Sequence, residues 1–95
     1  MERKRIHARV HGRVQRVAFR EYTRREAMRL GLSGWVRNLP DGTVEVQCEG
    51  AAGNVDLLLA WLSIGSPLSR VTHVEYNETL PQGKTDDPFV IWYAS

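Results

Sequence analysis

The sequence predicts an α+β fold: one antiparallel sheet carrying two helices on a single face, in the order β-α-β-β-α-β with an added terminal strand. Three observations predict it. Apolar residues alternate with period two early in the chain, switch to helical spacing, return to alternation and become helical again, so strands and helices interleave. A turn sequence joins the two middle strands, which makes them antiparallel neighbours. At 95 residues with 42% hydrophobic content, the chain supplies one core, so it is read as a single domain over residues 1–95.

Each element has its own signature. Ile6, Ala8 and Val10 alternate with His7, Arg9 and His11 until Gly12, a strand with one buried face. From Phe19 to Leu30 small or apolar residues fall at 19, 23, 27 and 30 among Arg and Glu, and Gly31 follows as a helix stop. Residues 33–38 and 43–49 read as strands around the Pro40-Asp41-Gly42 turn. Asn54 is placed to cap a second helix containing Val55, Leu58, Leu59, Trp61 and Leu62. Residues 70–78 form a less regular strand, and a polar connection leads to the β-branched and aromatic run at 89–93. This order is the split-βαβ, ferredoxin-like plan.

Composition narrows the function. No apolar run approaches the roughly 20 residues of a membrane span, and strand-like alternation follows the basic N-terminus where a signal peptide would need an apolar stretch. A cytoplasmic location and no membrane partner are expected. Cys48 is alone, which excludes an internal disulfide and a Cys-rich zinc site, and its place after Val44 and Val46 reads as a small buried hydrophobe. His7 and His11 would sit roughly 13 Å apart on an extended strand, too far for a metal pair, and His73 has no partner evident in sequence. No metal or cofactor is expected. Trp35, Trp61 and Trp92 suit packing, with Trp35 placed to shield the region near Asn38.

Charge is uneven: residues 1–37 hold 11 Lys/Arg and 3 acids, residues 38–95 hold 2 and 8. A positive field of this kind attracts small phosphorylated molecules and nucleic acids alike. Arg24, Arg25 and Arg29 read as a solvated helix face. The loop of residues 12–20 is different, because it feeds into the first turn of a helix, whose N–H groups lack intrahelical partners and favour anions. Arg20 stands at that helix start, where the dipole disfavours a cation by a few tenths of a kcal/mol to about 1 unless an anion is bound. Asn38 shares the face of Val36 at its strand end; its amide can orient a water, and it can equally cap the turn that follows.

Two segments resemble a known family. Gly12-Arg-Val-Gln-Arg-Val-Ala-Phe-Arg20 is similar to the acylphosphatase loop G-x-V-Q-G-V-x-F-R. Gly34-Trp-Val-Arg-Asn38 with Gly42, Val44 and Gly50 is similar to that family's second signature, G-[FYW]-x-x-N-x-x-x-G-x-V-x-x-x-x-x-G. The likeness extends through Gly65-Ser-Pro67, Arg70-Val71 and the Phe89, Ile91, Tyr93 ending. It implies metal-independent hydrolysis of small acyl phosphates to carboxylate and inorganic phosphate. By that resemblance Arg20 and Asn38 are catalytic, and Gln15, Arg16, Val17, Ala18, Phe19 and Arg20 bind the phosphate, largely through backbone N–H groups.

Arg16 departs from the pattern, which has glycine there. A side chain costs roughly 1 to 2 kcal/mol if the position is left-handed. Either the backbone accepts Arg16, with its guanidinium outward and adding attraction for anions, or the loop is distorted; the first is expected. The alternative function is a non-catalytic anion- or RNA-binding module on the same scaffold. RNA binding by such sheets uses displayed aromatics, and residues 43–49 have neither aromatic nor basic side chains, so no nucleic-acid partner is expected. A monomer acting on a small-molecule acyl phosphate is the resulting picture.

Overall fold

The computed structural model describes residues 2–83 and 87–93. Seven elements follow in order: β1 (Arg3–Arg13), α1 (Phe19–Arg29), β2 (Ser33–Asn38), β3 (Val44–Ala51), α2 (Ala52–Ile64), β4 (Arg70–Thr79) and β5 (Phe89–Ile91). They build a five-stranded sheet in the order β4-β1-β3-β2-β5. The four strands from β4 to β2 pair antiparallel, as the alternation and the hairpin turn require. The terminal strand differs: β5 runs parallel to β2, pairing Gly34 with Phe89 and Val36 with Ile91, so the sheet is mixed. It is shorter than the 89–93 run because Trp92 donates one further bond, to the Val36 carbonyl, and leaves the ladder there.

Period two explains the core. Ile6, Ala8 and Val10 of β1, Val36 of β2 and Val44, Val46 and Cys48 of β3 point to one face of the sheet, each buried. Phe19, Thr23 and Ala27 of α1 and Val55, Leu58 and Leu62 of α2 are buried too, so both helices lie on that one face. The other face holds His7, Trp35, Arg37, Glu45 and Gln47, none covered by a helix among the described residues. Cys48 belongs to the inner face, and burial pushes its thiol up to about 12.

Local chemistry sets the boundaries. α1 ends in a Schellman arrangement, Gly31 at φ 69° with Leu32 N–H on the Ala27 carbonyl. Asp41 closes the β2–β3 turn by accepting from Thr43 N–H at 3.0 Å and from the Thr43 hydroxyl at 2.6 Å. α2 corrects one expectation. It begins two residues before Asn54, with Ala51 at the cap position, and Asn54 donates from Nδ2 to the Leu30 carbonyl at 3.0 Å. The amide therefore ties α2 to the end of α1, because the β3 ladder runs straight into the helix and leaves no separate cap residue.

Candidate active site

The loop between β1 and α1 is shaped by backbone sign changes. At its base a β-bulge lies between His11 and Gly12, where Gly12 adopts φ 122° and a Cβ would meet the Arg70 carbonyl oxygen at 2.1 Å. Farther along, Arg16 has φ 63° and Ala18 φ 58°, with Val17 between them. Alternation of this kind turns successive N–H groups inward, the concave arrangement that holds anions. Ala18 is the N-cap of α1 and makes no side-chain capping bond, which leaves the first-turn N–H donors open at the same place.

Neighbouring elements brace the loop. Gln15 donates from Nε2 to the Leu39 carbonyl at 2.8 Å and to the Thr43 carbonyl at 2.9 Å, clamping the loop to the β2–β3 turn. Ser66 donates its hydroxyl to the Val17 carbonyl at 3.1 Å. Val14, Val17 and Phe19 are buried beneath, Phe19 with its ring 5.6 Å from that of Trp61.

These elements enclose a cavity of about 180 Å³ lined by Val14, Arg16, Ala18, Phe19, Arg20, Glu21, Asn38, Ile91 and Tyr93. Arg20 and Asn38, far apart in sequence, share its wall. The Arg20 guanidinium lies 5.1 Å from the centre of the Tyr93 ring, within cation–π range. No carboxylate among the described residues is within 4.0 Å of Arg20. Asn38 is half-buried, but its Oδ1 is fully buried and accepts no hydrogen bond among the described residues. An orphaned buried acceptor costs about 1 to 3 kcal/mol, so its persistence here requires a reason. Glu21 is the cavity's one acid among the described residues, and both its oxygens are occupied by Arg24 and Arg25, which hold its carboxyl down at about 2.

The six loop residues chosen from sequence divide in two. Arg16, Ala18, Phe19 and Arg20 line the cavity, whereas the Gln15 side chain turns away to the hairpin and Val17 faces the core. Ser66 and Tyr93 carried no sequence signal for their parts, because each reaches the loop from a distant element. Trp35 does not shield the site: it lies on the open face beside Trp92, ring centres 4.9 Å apart, since it alternates against Val36 and Asn38. His73 does have a partner, stacking on His11 at 4.0 Å across the β1–β4 ladder. No three His, Cys, Asp or Glu side chains of the described residues come together as a metal site.

Comparison with known proteins finds relatives of the chain in sequence and in fold. The acylphosphatase family model matches residues 6–91. The chain is 53% identical over 83 residues to an acylphosphatase of Thermococcus kodakarensis, covering 87% of this chain and 91% of the relative. It is 53% identical over 78 residues to one from Syntrophobacter fumaroxidans, covering 82% and 80%. The crystal structure of an acylphosphatase from Bacillus subtilis superposes with a TM-score of 0.89 at 34% identity, over 95% of this chain and 99% of that one.

Proposed function

The chain belongs to the acylphosphatase family and hydrolyses acyl phosphates, and from that premise we propose that Arg20 and Asn38 carry the reaction. The transferring phosphoryl group sits in the loop, its equatorial oxygens held by the inward N–H groups, the start of α1 and the Arg20 guanidinium. Positioning and positive charge are what phosphoryl transfer chiefly asks of a protein. Asn38 holds the attacking water through its side-chain amide. The water oxygen bonds to phosphorus as the bond from phosphorus to the acyl oxygen breaks. The carboxylate leaves with the electron pair, and the water's proton passes to the phosphate itself. A carboxylate is a good leaving group, so no protein base is assigned.

The observation that carries this reading is that Asn38 shares a cavity wall with Arg20, an arginine with no carboxylate within 4.0 Å among the described residues. The test is hydrolysis of benzoyl phosphate in excess chelator by the wild type, Arg20→Ala and Asn38→Ala. Both substitutions should lower kcat/KM by at least ~10²-fold with folding intact. Turnover that requires a metal, or that ignores Asn38→Ala, sinks the assignment.

The same reading takes residues 1–95 as one domain acting as a monomer in the cytoplasm, with a small-molecule substrate and no nucleic-acid partner. Support comes from a site assembled within one chain and a lone buried thiol. On the open sheet face Glu45 neutralises Arg37, Arg9 lies 4.0 Å from Asp41, and Trp35 packs on Trp92, so few free cations or rings remain there for bases. No helix among the described residues is long and apolar enough to cross a membrane.

A further inference from the structure

Eight of the twelve described Lys and Arg side chains lie within 4.0 Å of a carboxylate. The four with no such carboxylate among the described residues, Arg13, Arg16, Arg20 and Arg70, gather at one end of the molecule. Arg13 and Arg70 are ladder partners at the end of the β1–β4 pairing, one residue before Val14 of the cavity wall. Arg16 and Arg20 line the cavity itself. Its acid, Glu21, is already neutralised by two arginines of α1, so it offsets neither.

This charge exceeds what the reaction needs. A phosphoryl group brings about two negative charges, and the open N–H donors of the loop and α1 already stabilise part of that. Arg20 supplies the cation at the helix start. Arg16 is more exposed than Arg20, and its side chain leaves a backbone whose N–H groups face inward, so it stands at the rim of the cradle. Arg16 is therefore part of the cavity lining and open to solvent at once.

We infer that Arg16 is a specificity-determining residue, making this enzyme prefer acyl phosphates whose acyl group carries a second anionic group, carboxylate or phosphate, over those with a neutral acyl group. The inference rests on the reading of the cavity as the acyl phosphate site. Arg16 pairs with the distal anion while Arg20 and the loop hold the reacting phosphoryl group, and Arg13 and Arg70 extend the attraction along the same end.

The test compares benzoyl phosphate with 4-carboxybenzoyl phosphate, which differ by one carboxylate, in the wild type, Arg16→Gly and Arg16→Lys. Glycine accepts the positive φ at this position, so the first variant keeps the loop. In the wild type kcat/KM should favour the carboxylated substrate by about fivefold, the size of a partly exposed ion pair. Arg16→Gly should erase that preference through KM of the carboxylated substrate, and Arg16→Lys should keep most of it. Equal kcat/KM values in the wild type, or a preference unchanged by Arg16→Gly, overturn the inference, as does an equal loss on both substrates, which would assign Arg16 to the phosphoryl group. A failure of the site reading itself shows separately, as full activity of Arg20→Ala or Asn38→Ala on benzoyl phosphate.

Discussion

Gln15 illustrates how one side chain serves a site it does not line. Its amide spans two carbonyls of the β2–β3 turn, at 2.8 and 2.9 Å, and so couples the phosphate loop to the segment that follows Asn38. Gln15→Ala removes the second donor from each of these carbonyls, which keep the Gly42 and Leu39 backbone N–H groups, and should cost about 1 kcal/mol in chemical denaturation. Its larger effect should be on kcat, because the loop and Asn38 lose their shared brace; an unchanged kcat would show that the two parts of the site hold their places independently. Arg20 was legible in sequence because it contradicts the helix dipole, and Asn38 because alternation fixed its face. Gln15 was legible only in part, since the number and direction of its hydrogen bonds depend on a turn that begins at residue 39.

At the scale of elements, the geometry of the loop depends on how closely β1 and β4 approach. Gly12 lets the Arg70 carbonyl come within 2.1 Å of where a Cβ would stand, at a φ of 122° that side chains rarely adopt. Gly12→Ala should therefore destabilise by roughly 2 to 4 kcal/mol, from steric displacement of β4 and backbone strain together. Gly53 gives the opposite expectation: it lies in α2 without a positive φ, and a Cβ added there would meet nothing within 4 Å, so Gly53→Ala should stabilise by about 0.5 to 1 kcal/mol. Thermal melts of the two variants check both signs. Strand and helix identities followed from periodicity, whereas the direction of β5 did not, because a three-residue strand carries no information about which edge it will join.

For the whole molecule, the sheet face without helices adds a pH dependence. Burial alone would raise the Glu45 carboxyl, but hydrogen bonds from His7 and Arg37 outweigh it and hold the group below its ordinary 4.5. Glu49 behaves likewise, with N–H donors from Gln82 and Gly83 at 2.9 and 2.7 Å and the Arg3 guanidinium opposing its burial. A carboxyl depressed in the folded state stabilises the fold fully above its unfolded value, and this is lost as pH falls through the folded one. The melting temperature should thus fall as pH drops below about 4.5, and Glu45→Gln should flatten that acid limb while lowering the melting temperature at pH 7. An acid limb of the same slope in the variant would remove Glu45 from the account.

The sequence by itself determined the α+β plan, the inner face of each central strand, the face of Asn38 and the basic character of the β1–α1 loop with Arg20 at its end, because these rest on period, turn chemistry and local charge. Tertiary structure alone decided that β5 lies parallel to β2, that Asn54 ties the helices together, that Trp35 faces away from the site, and that the arginines without carboxylate partners among the described residues collect at one end. Those outcomes depend on contacts between residues distant along the chain. Which carboxylate neutralises which arginine is such a contact, and it separates a basic sequence from a basic site.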